Sequence, residues 1–171
     1  IGRQRAHHHL GPQIGAANAD VDHIGNALAR VARPRAAAHA LAKVAHVRQL
    51  VADGYVGKVV STTLIGSGLV WGPMIDQANA YTMDRANGAT MLSIPMGHSL
   101  DAVCACLGEL TDVSARIAVQ QPDFLNVETG QHGIKSSPDQ VAFTGTLASG
   151  AVMACHYRAG ASRGTNLLWE I

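Results

Sequence analysis

Residues 141–157 have the sequence VAFTGTLASGAVMACHY and carry the clearest structural pattern of the chain. From Val141 to Leu147 apolar residues stand at every second position, which is the period of a strand with one buried face. Ser149-Gly150 is a tight-turn dipeptide, and residues 151–157 form a second strand-like run. The stretch therefore predicts an antiparallel β-hairpin.

Three further segments outside the hairpin have the composition or the period of strands. The segment 113–120 (VSARIAVQ) alternates with period two, and β-branched residues crowd 58–65 (KVVSTTLI), after which Gly66 and Gly68 predict an end. The last residues, 167–171 (LLWEI), start another strand. Loops are predicted at 69–86 and in the polar stretch after residue 120. Because the chain stops inside the last predicted strand, we expect the domain to be truncated at its C-terminal end.

Two segments have apolar residues at the i, i+3 and i+4 spacing of an amphipathic helix. The first runs from Leu41 to about Asp53, where Gly54 supplies a stop, and the second runs from Leu100 to Leu110. Pro95 predicts a break or kink just before the second helix. Helices interspersed with consecutive strands predict an α+β fold: an open mixed or antiparallel β-sheet with helices on one face. Regular strand–helix alternation is missing, so no complete Rossmann domain is expected.

The composition limits the classes of function that we consider. The net charge is +1, with 47% hydrophobic and 15% charged residues, which favours a globular protein that binds neither nucleic acid nor a membrane. No apolar stretch approaches the roughly 20 residues of a spanning helix, and no signal peptide is visible. Three cysteines do not form a disulfide framework, so we expect a cytoplasmic setting.

Residues 1–35 lack a sustained period and are predicted to be an irregular lead-in to an α+β domain at 36–171. The run His7-His8-His9 could suggest a metal site or a tag remnant. Three adjacent histidines cannot all face one ion, so we predict no metal site. Gly66-Ser67-Gly68 follows a strand but has Trp71 where a dinucleotide-binding fingerprint needs its third glycine. No cofactor-binding residues are assigned.

Three stretches together resemble the C-terminal domain of the glucose–fructose oxidoreductase/inositol dehydrogenase (Gfo/Idh/MocA) family, particularly its galactose-repressor-like branch. They are 48–65 (RQLVADGYVGKVVSTTLI), 87–109 (NGATMLSIPMGHSLDAVCACLGE) and 138–160 (PDQVAFTGTLASGAVMACHYRAG). The resemblance spans about Arg48 to Ile171. It implies a substrate-binding and oligomerisation domain that normally follows a Rossmann domain holding NAD or NADP, which this chain is not expected to bind well alone.

The resemblance also implies site residues. His98 matches the family's substrate-contacting acid/base residue, and an imidazole titrating near neutrality suits removal of a sugar-hydroxyl proton. Asp101 matches the aspartate after it, whereas the family's aspartate before it is replaced by Ile94, with Ser93 one step earlier. The resemblance therefore implies that Ser93 and Asp101 contact the substrate.

Two aromatic residues of the 69–86 loop, Trp71 and Tyr81, could stack on a sugar ring or simply pin the loop. The expected function is the substrate-side domain of an NAD(P)-dependent oxidoreductase acting on a sugar or polyol, inactive without its Rossmann domain. The alternative is a non-catalytic binding or oligomerisation module, as in the galactose-pathway repressor. In either case we expect a homo-oligomer formed through the sheet face, because an exposed sheet has to be covered.

Overall fold

The computed structural model describes residues 38–171, which contain two α-helices and eight strands. The predicted lead-in at 1–35 and the three adjacent histidines lie outside the described residues. In chain order the elements are α1 (Ala38–Ala52), β1 (Ser61–Gly68), β2 (Met74–Ile75), α2 (Gly97–Leu107), β3 (Leu110–Ala118), β4 (Asp123–Asn126), β5 (His132–Ile134), β6 (Gln140–Leu147), β7 (Val152–Ala159) and β8 (Leu167–Glu170). A π-helical turn, Leu92–Met96, leads directly into α2.

Five strands form one mixed sheet in the order β3-β6-β7-β1-β8. The predicted hairpin is present as β6 and β7, which pair antiparallel with Phe143 opposite Cys155. Strand β1 lies parallel to β7, and β8 closes the other side of β1 in the antiparallel sense. The predicted α+β fold with an open mixed sheet is therefore confirmed.

One face of this sheet is buried under the helices. Its alternating positions, such as Leu64, Phe143 and Met153, pack against Leu100 and Val103 of α2 in a single hydrophobic core. Helix α1 lies outside α2, where the thiol of Cys106 approaches the carbonyl oxygen of Val44 at 3.5 Å. Fully burying a Leu- or Val-sized side chain stabilises a fold by about 1.5–3 kcal/mol, so this layer supplies much of the stability. The opposite face carries exposed residues such as Ala142, Thr144 and Ala154.

The first strand does not stop at Gly66 as predicted, because β1 continues through Gly66 and ends at Gly68, the second of the two predicted glycines. The reason is tertiary. The ring of Tyr157 lies in the space that a side chain at residue 66 would occupy, and Met91 lies 2.8 Å from where a Cβ of Gly68 would be. Both glycines therefore admit bulky neighbours to the core, with Gly66 inside the strand and Gly68 at its end.

A second sheet was not predicted. Within the segments assigned to loops, β2, β4 and β5 form a three-stranded sheet in that order. The strands have only two to four residues each, too few to show a period. Their pairing depends on Phe124, whose ring lies over Gly133 on the neighbouring strand.

Candidate functional site

His98 is the second residue of α2 and its side chain is exposed. No hydrogen bond to its ring is formed by the described part of the chain, so its position depends on the backbone of the first helical turn. Asp101 lies one turn further along α2 and is half-buried. Residues three apart are neighbours on a helix surface, so the carboxylate and the imidazole lie on the same side of α2. The predicted acid/base role of His98 stays a prediction.

Two hydroxyl groups, those of the buried Tyr157 and the partly buried Ser99, form hydrogen bonds to the backbone at the start of α2. Tyr157 Oη donates to the carbonyl oxygen of Pro95 at 3.2 Å, and Ser99 Oγ donates to the same oxygen at 3.0 Å. The two hydroxyl oxygens are 3.1 Å apart. Burial raises the pKa of Tyr157, although its hydrogen bond to Ser99 opposes the rise, so the phenol remains a proton donor at neutral pH.

Ser93 already has local partners for its hydroxyl. Its Oγ donates to the carbonyl oxygen of Gly88 and accepts from the amide of Thr90 at 3.0 Å. The Ser93 amide in turn donates to Thr90 Oγ1 at 3.2 Å. These bonds close the turn that precedes the π-helical turn. A substrate would have to compete with them, and the substrate-binding role of Ser93 stays a prediction.

The two predicted aromatic residues have different environments. Trp71 is only 8% exposed, and its indole Nε1 donates to the carbonyl oxygen of Ala89 at 2.9 Å, just upstream of the turn that leads to His98. This burial favours the loop-pinning interpretation for Trp71 over stacking on a sugar. Tyr81 is 52% exposed, and its ring is free to meet a ligand. The structure therefore brings Trp71 and Ser93 to the segment before His98, and places Tyr81 in a separate helical turn at Ala80–Met83.

A buried ion pair near this segment was not predicted. Lys135 Nζ lies 3.1 Å from Asp139 Oδ2, and the two residues are 3% and 1% exposed. Asp139 also accepts hydrogen bonds from the amides of Gln120 and Gln121 at 2.8 and 2.7 Å. Burial alone would raise the pKa of Asp139, but these donors and Lys135 together hold it below its usual range.

The ion pair also reaches the loop that carries the candidate residues. Lys135 Nζ donates to the carbonyl oxygen of Trp71 at 3.4 Å. The ammonium group therefore links the segment between the two sheets to the turn that holds the buried indole. The spacing of four between Lys135 and Asp139 is the only signal in the sequence, and such pairs usually lie on a solvated surface.

The uncovered face of the five-stranded sheet forms a second candidate site. It contains a shallow depression of about 520 Å³, floored by the small residues Ala142 and Ala154. Arg116 and His156 lie at one end, in one row across the strands, and Thr144 lies in the next row. The depression is open enough for a protein surface and offers hydroxyl, guanidinium and imidazole groups.

The described residues do not fit a dinucleotide or a metal ion. Gly66 and Gly68 face Tyr157 and Met91, so neither leaves room for a pyrophosphate to approach the backbone. Within residues 38–171 no group of three or more metal-binding side chains is found. Burial raises the pKa of Cys104 to about 11 and that of Cys155 to about 12, so these thiols stay protonated at neutral pH. None of the described helices is long and apolar enough to cross a membrane.

An α+β domain with one helical layer on an open mixed sheet is the class of domain that the resemblance implied. Comparison with protein families agrees with this class and identifies the family. The family model described as "Gal80p, C-terminal domain" matches residues 42–171, and the chain belongs to this family. The resemblance predicted from the sequence is thereby confirmed.

Two curated relatives are of different kinds, a dehydrogenase and a regulatory protein. The chain is 28% identical over 114 residues to the dehydrogenase aclE of Aspergillus oryzae, covering 61% of this chain and 30% of that protein. It is 24% identical over 127 residues to the galactose/lactose metabolism regulatory protein GAL80 of Saccharomyces cerevisiae, covering 68% and 29%. The chain thus spans less than a third of the length of either relative.

Solved structures show the same fold. A super-repressor mutant of Gal80p from Saccharomyces cerevisiae superposes with a TM-score of 0.68 at 22% identity, over 74% of this chain and 34% of that one. Levoglucosan dehydrogenase in complex with NADH and L-sorbose superposes with a TM-score of 0.62 at 18% identity, over 72% and 34%. The fold therefore occurs both in Gal80p and in a dehydrogenase solved with NADH.

Proposed function

We propose that this chain is the substrate-side domain of an NAD(P)-dependent oxidoreductase that acts on a sugar or polyol. The observation that supports it most directly is the exposed imidazole of His98 at the anchored start of α2, with Asp101 one turn away. The dehydrogenase relative and the fold shared with levoglucosan dehydrogenase, a protein solved with NADH and L-sorbose, point to the same chemistry. The described residues offer no dinucleotide site, so the proposal requires a nucleotide-binding domain from elsewhere.

The proposed chemistry gives His98 one task. Oxidising a secondary hydroxyl to a ketone requires a base for the hydroxyl proton, and neutral imidazole accepts a proton near pH 7. Asp101, one turn further along the same side of α2, is placed to orient the imidazole. Tyr81, half exposed in its helical turn, supplies a ring face for the sugar. All three assignments are part of the proposal.

The test is an activity measurement on the longest gene product that contains this chain. Reduction of NAD and NADP is followed with a panel of sugars and polyols, and the best substrate is then used with His98→Ala. Loss of a general base lowers kcat/KM by about 10²–10⁴-fold. His132→Ala is the matched control, because His132 is also exposed but lies on β5 of the small sheet. Unchanged kcat/KM in His98→Ala would contradict the proposed role.

The second candidate is a non-catalytic binding or oligomerisation module. It is favoured by the similarity to the GAL80 regulatory protein and by Ile94, which stands where the oxidoreductase pattern has a carboxylate. The hydroxyl of Ser93, the nearest polar alternative, is already bonded to Gly88 and Thr90. If no substrate of the panel is oxidised by the longest gene product with either nucleotide, this second function is the one to pursue.

Self-association through the uncovered sheet face is expected for both candidate functions. The basic side chains Arg116 and His156 lie in one row of this face, whereas Glu170 lies in the next row, with Ala154, and Asp112 lies one row further. Packing two copies about a two-fold axis brings the basic row of one face against the acidic residues of the other. The depression over Ala154 leaves room for side chains of the second copy.

Mass in solution tests this association. Ala154→Arg places a long charged side chain in the depression and should shift the protein toward monomer in sedimentation at several concentrations. Ala105→Arg is the matched control, since Ala105 is also exposed but lies on α2, on the other side of the sheet. A protein that is already monomeric, or equal masses for the two variants, would exclude the uncovered face as the interface.

A further inference from the structure

Tyr157 is a buried residue with no direct contact to any candidate ligand, yet it joins three elements around His98. It lies on β7 and is 4% exposed, and its ring fills the space above Gly66 of β1. From there its hydroxyl reaches the π-helical turn and α2, where it meets Pro95 and Ser99. Only a residue without a side chain at position 66 allows the ring to pass.

The carbonyl oxygen of Pro95 is the point on which these contacts converge. It accepts hydrogen bonds from both Tyr157 Oη and Ser99 Oγ. Pro95 has no N–H and lies inside the π-helical turn, where the Met96 amide donates five residues back, to the carbonyl oxygen of Met91. The backbone there is irregular, and its direction depends on partners outside the helix.

Packing alone does not account for the hydroxyl. A phenylalanine at position 157 would fill the same volume above Gly66, whereas a tyrosine hydroxyl in the core costs free energy unless it is hydrogen-bonded. Its donated bond to the carbonyl oxygen of Pro95 satisfies it. Since His98 has no bonds to its ring from the described residues, the backbone between Pro95 and Ser99 sets the position of its Cα–Cβ bond, from which the imidazole projects.

We propose that Tyr157, together with Ser99, is a positioning residue for His98 and acts through the carbonyl oxygen of Pro95. The catalytic relevance of His98 rests on the proposed function, but its positioning can be measured without turnover. Tyr157 touches neither substrate nor reacting atoms in this proposal. It fixes the rotation of the first turn of α2, from which the imidazole projects.

The experiment records the imidazole carbon–proton signals of the isotope-labelled chain by NMR, with the His98 signal assigned by His98→Ala. In Tyr157→Phe the His98 signal is expected to shift or broaden, because the first turn samples more than one orientation, while the signals of His46 and His132 stay unchanged. Ser99→Ala should perturb the same signal. The double variant should do little more than Tyr157→Phe, because both hydroxyls act on one carbonyl group.

Two controls separate positioning from a general loss of stability. Tyr55→Phe removes a phenol hydroxyl from an exposed residue and should leave the His98 signal unchanged. Cys155→Ala weakens the core on the same strand without reaching Pro95. An unchanged His98 signal in Tyr157→Phe, or an equal change in Cys155→Ala, overturns the proposal. Because no catalysis is measured, such a result is distinct from failure of the proposed oxidoreductase function, which the His98→Ala kinetics decide.

Discussion

Replacing Asp139 by Asn should destabilise the domain more than any other conservative change of a single carboxylate in residues 38–171. The carboxylate accepts hydrogen bonds from two backbone amides and pairs with Lys135 at 3.1 Å, in a place where both side chains are buried. An asparagine keeps one oxygen and turns an NH₂ group toward at least one of these three donors. Breaking a buried ion pair by removing one partner costs about 3–5 kcal/mol, because the other charge is left without compensation.

The same magnitude follows from the hydrogen bonds. Each hydrogen bond to a charged group stabilises the fold by about 1.5–3 kcal/mol. Asp139→Asn removes at least one of the three bonds, and the remaining bonds go to a neutral oxygen and are weaker. Domains of this kind are stable by about 5–15 kcal/mol, so the variant should unfold at a clearly lower urea concentration or fail to fold. The assay is urea unfolding at pH 7, followed by circular dichroism.

The pH dependence identifies the cause. Since the folded protein holds the pKa of Asp139 below its usual range, this group adds stability above the ordinary aspartate pKa of about 3.9, and that stability is lost as the pH falls below it. The difference between the two proteins should therefore shrink in acid. Asp84→Asn is the control: the amide of Ala86 and the hydroxyl of Ser136 lower the pKa of this exposed carboxyl, and its loss should matter far less. A loss under about 1 kcal/mol at pH 7, or a gap independent of pH, would refute the reasoning.

Two further predictions concern the core and the thiols. Gly66→Ala should lower the free energy of unfolding, measured by thermal unfolding, by about 1–3 kcal/mol or more, because the added methyl group overlaps the ring of Tyr157. Gly164→Ala is the control and should be nearly neutral, because no atom lies closer than 3.5 Å to the new Cβ. Equal effects of the two substitutions would contradict the overlap. Cys104 should react slowly with iodoacetamide until the pH approaches its raised pKa of about 11, and the buried Cys155 should react only in urea, as followed by mass spectrometry. Rapid labelling of either thiol in the folded protein at neutral pH would show that the burial is wrong.

The main sheet was predictable where one strand face is buried and the other is not. In 141–157 the alternation from Val141 to Leu147 coincides with the register that places Phe143 and Leu147 in the core, so the hairpin could be placed within one or two residues. The parallel pairing of β1 with β7 could not be predicted in the same way. It depends on the fit between Gly66 and Tyr157, which are distant in sequence and have no local signal.

The second helix shows a similar limit at its end. Leu110 continues the helical spacing of α2, but the structure ends the helix at Leu107 and begins β3 at Leu110. Gly108, with a φ of 93°, turns the chain between the two. An apolar residue at the right spacing fits the next helical turn as well as a strand, and only the position of the sheet selects between them.

The candidate site was predictable in part, and for a different reason. His98 and Asp101 were selected by resemblance, and the structure places them on one side of α2, but nothing local indicated how α2 is anchored. Ser93 is a short polar residue that can bind a substrate or close a turn, and only its bonds to Gly88 and Thr90 show that it closes a turn. The burial of Lys135 was the least predictable feature, since lysine is almost never fully buried unless it is paired.

The two proposed surfaces lie on opposite faces of one sheet, and this separates their tests. His98 belongs to the helical layer that covers the core face, whereas Ala154 lies on the uncovered face. A substitution on one face of a sheet has little structural effect on the other face unless the core repacks. Ala154→Arg should therefore change the mass in solution without moving the His98 signal. His98→Ala should change catalysis without changing the mass in solution. If Ala154→Arg abolishes both association and oxidation, the second copy must complete the substrate site. The enzyme and the module would then be one function, active only in the assembled state.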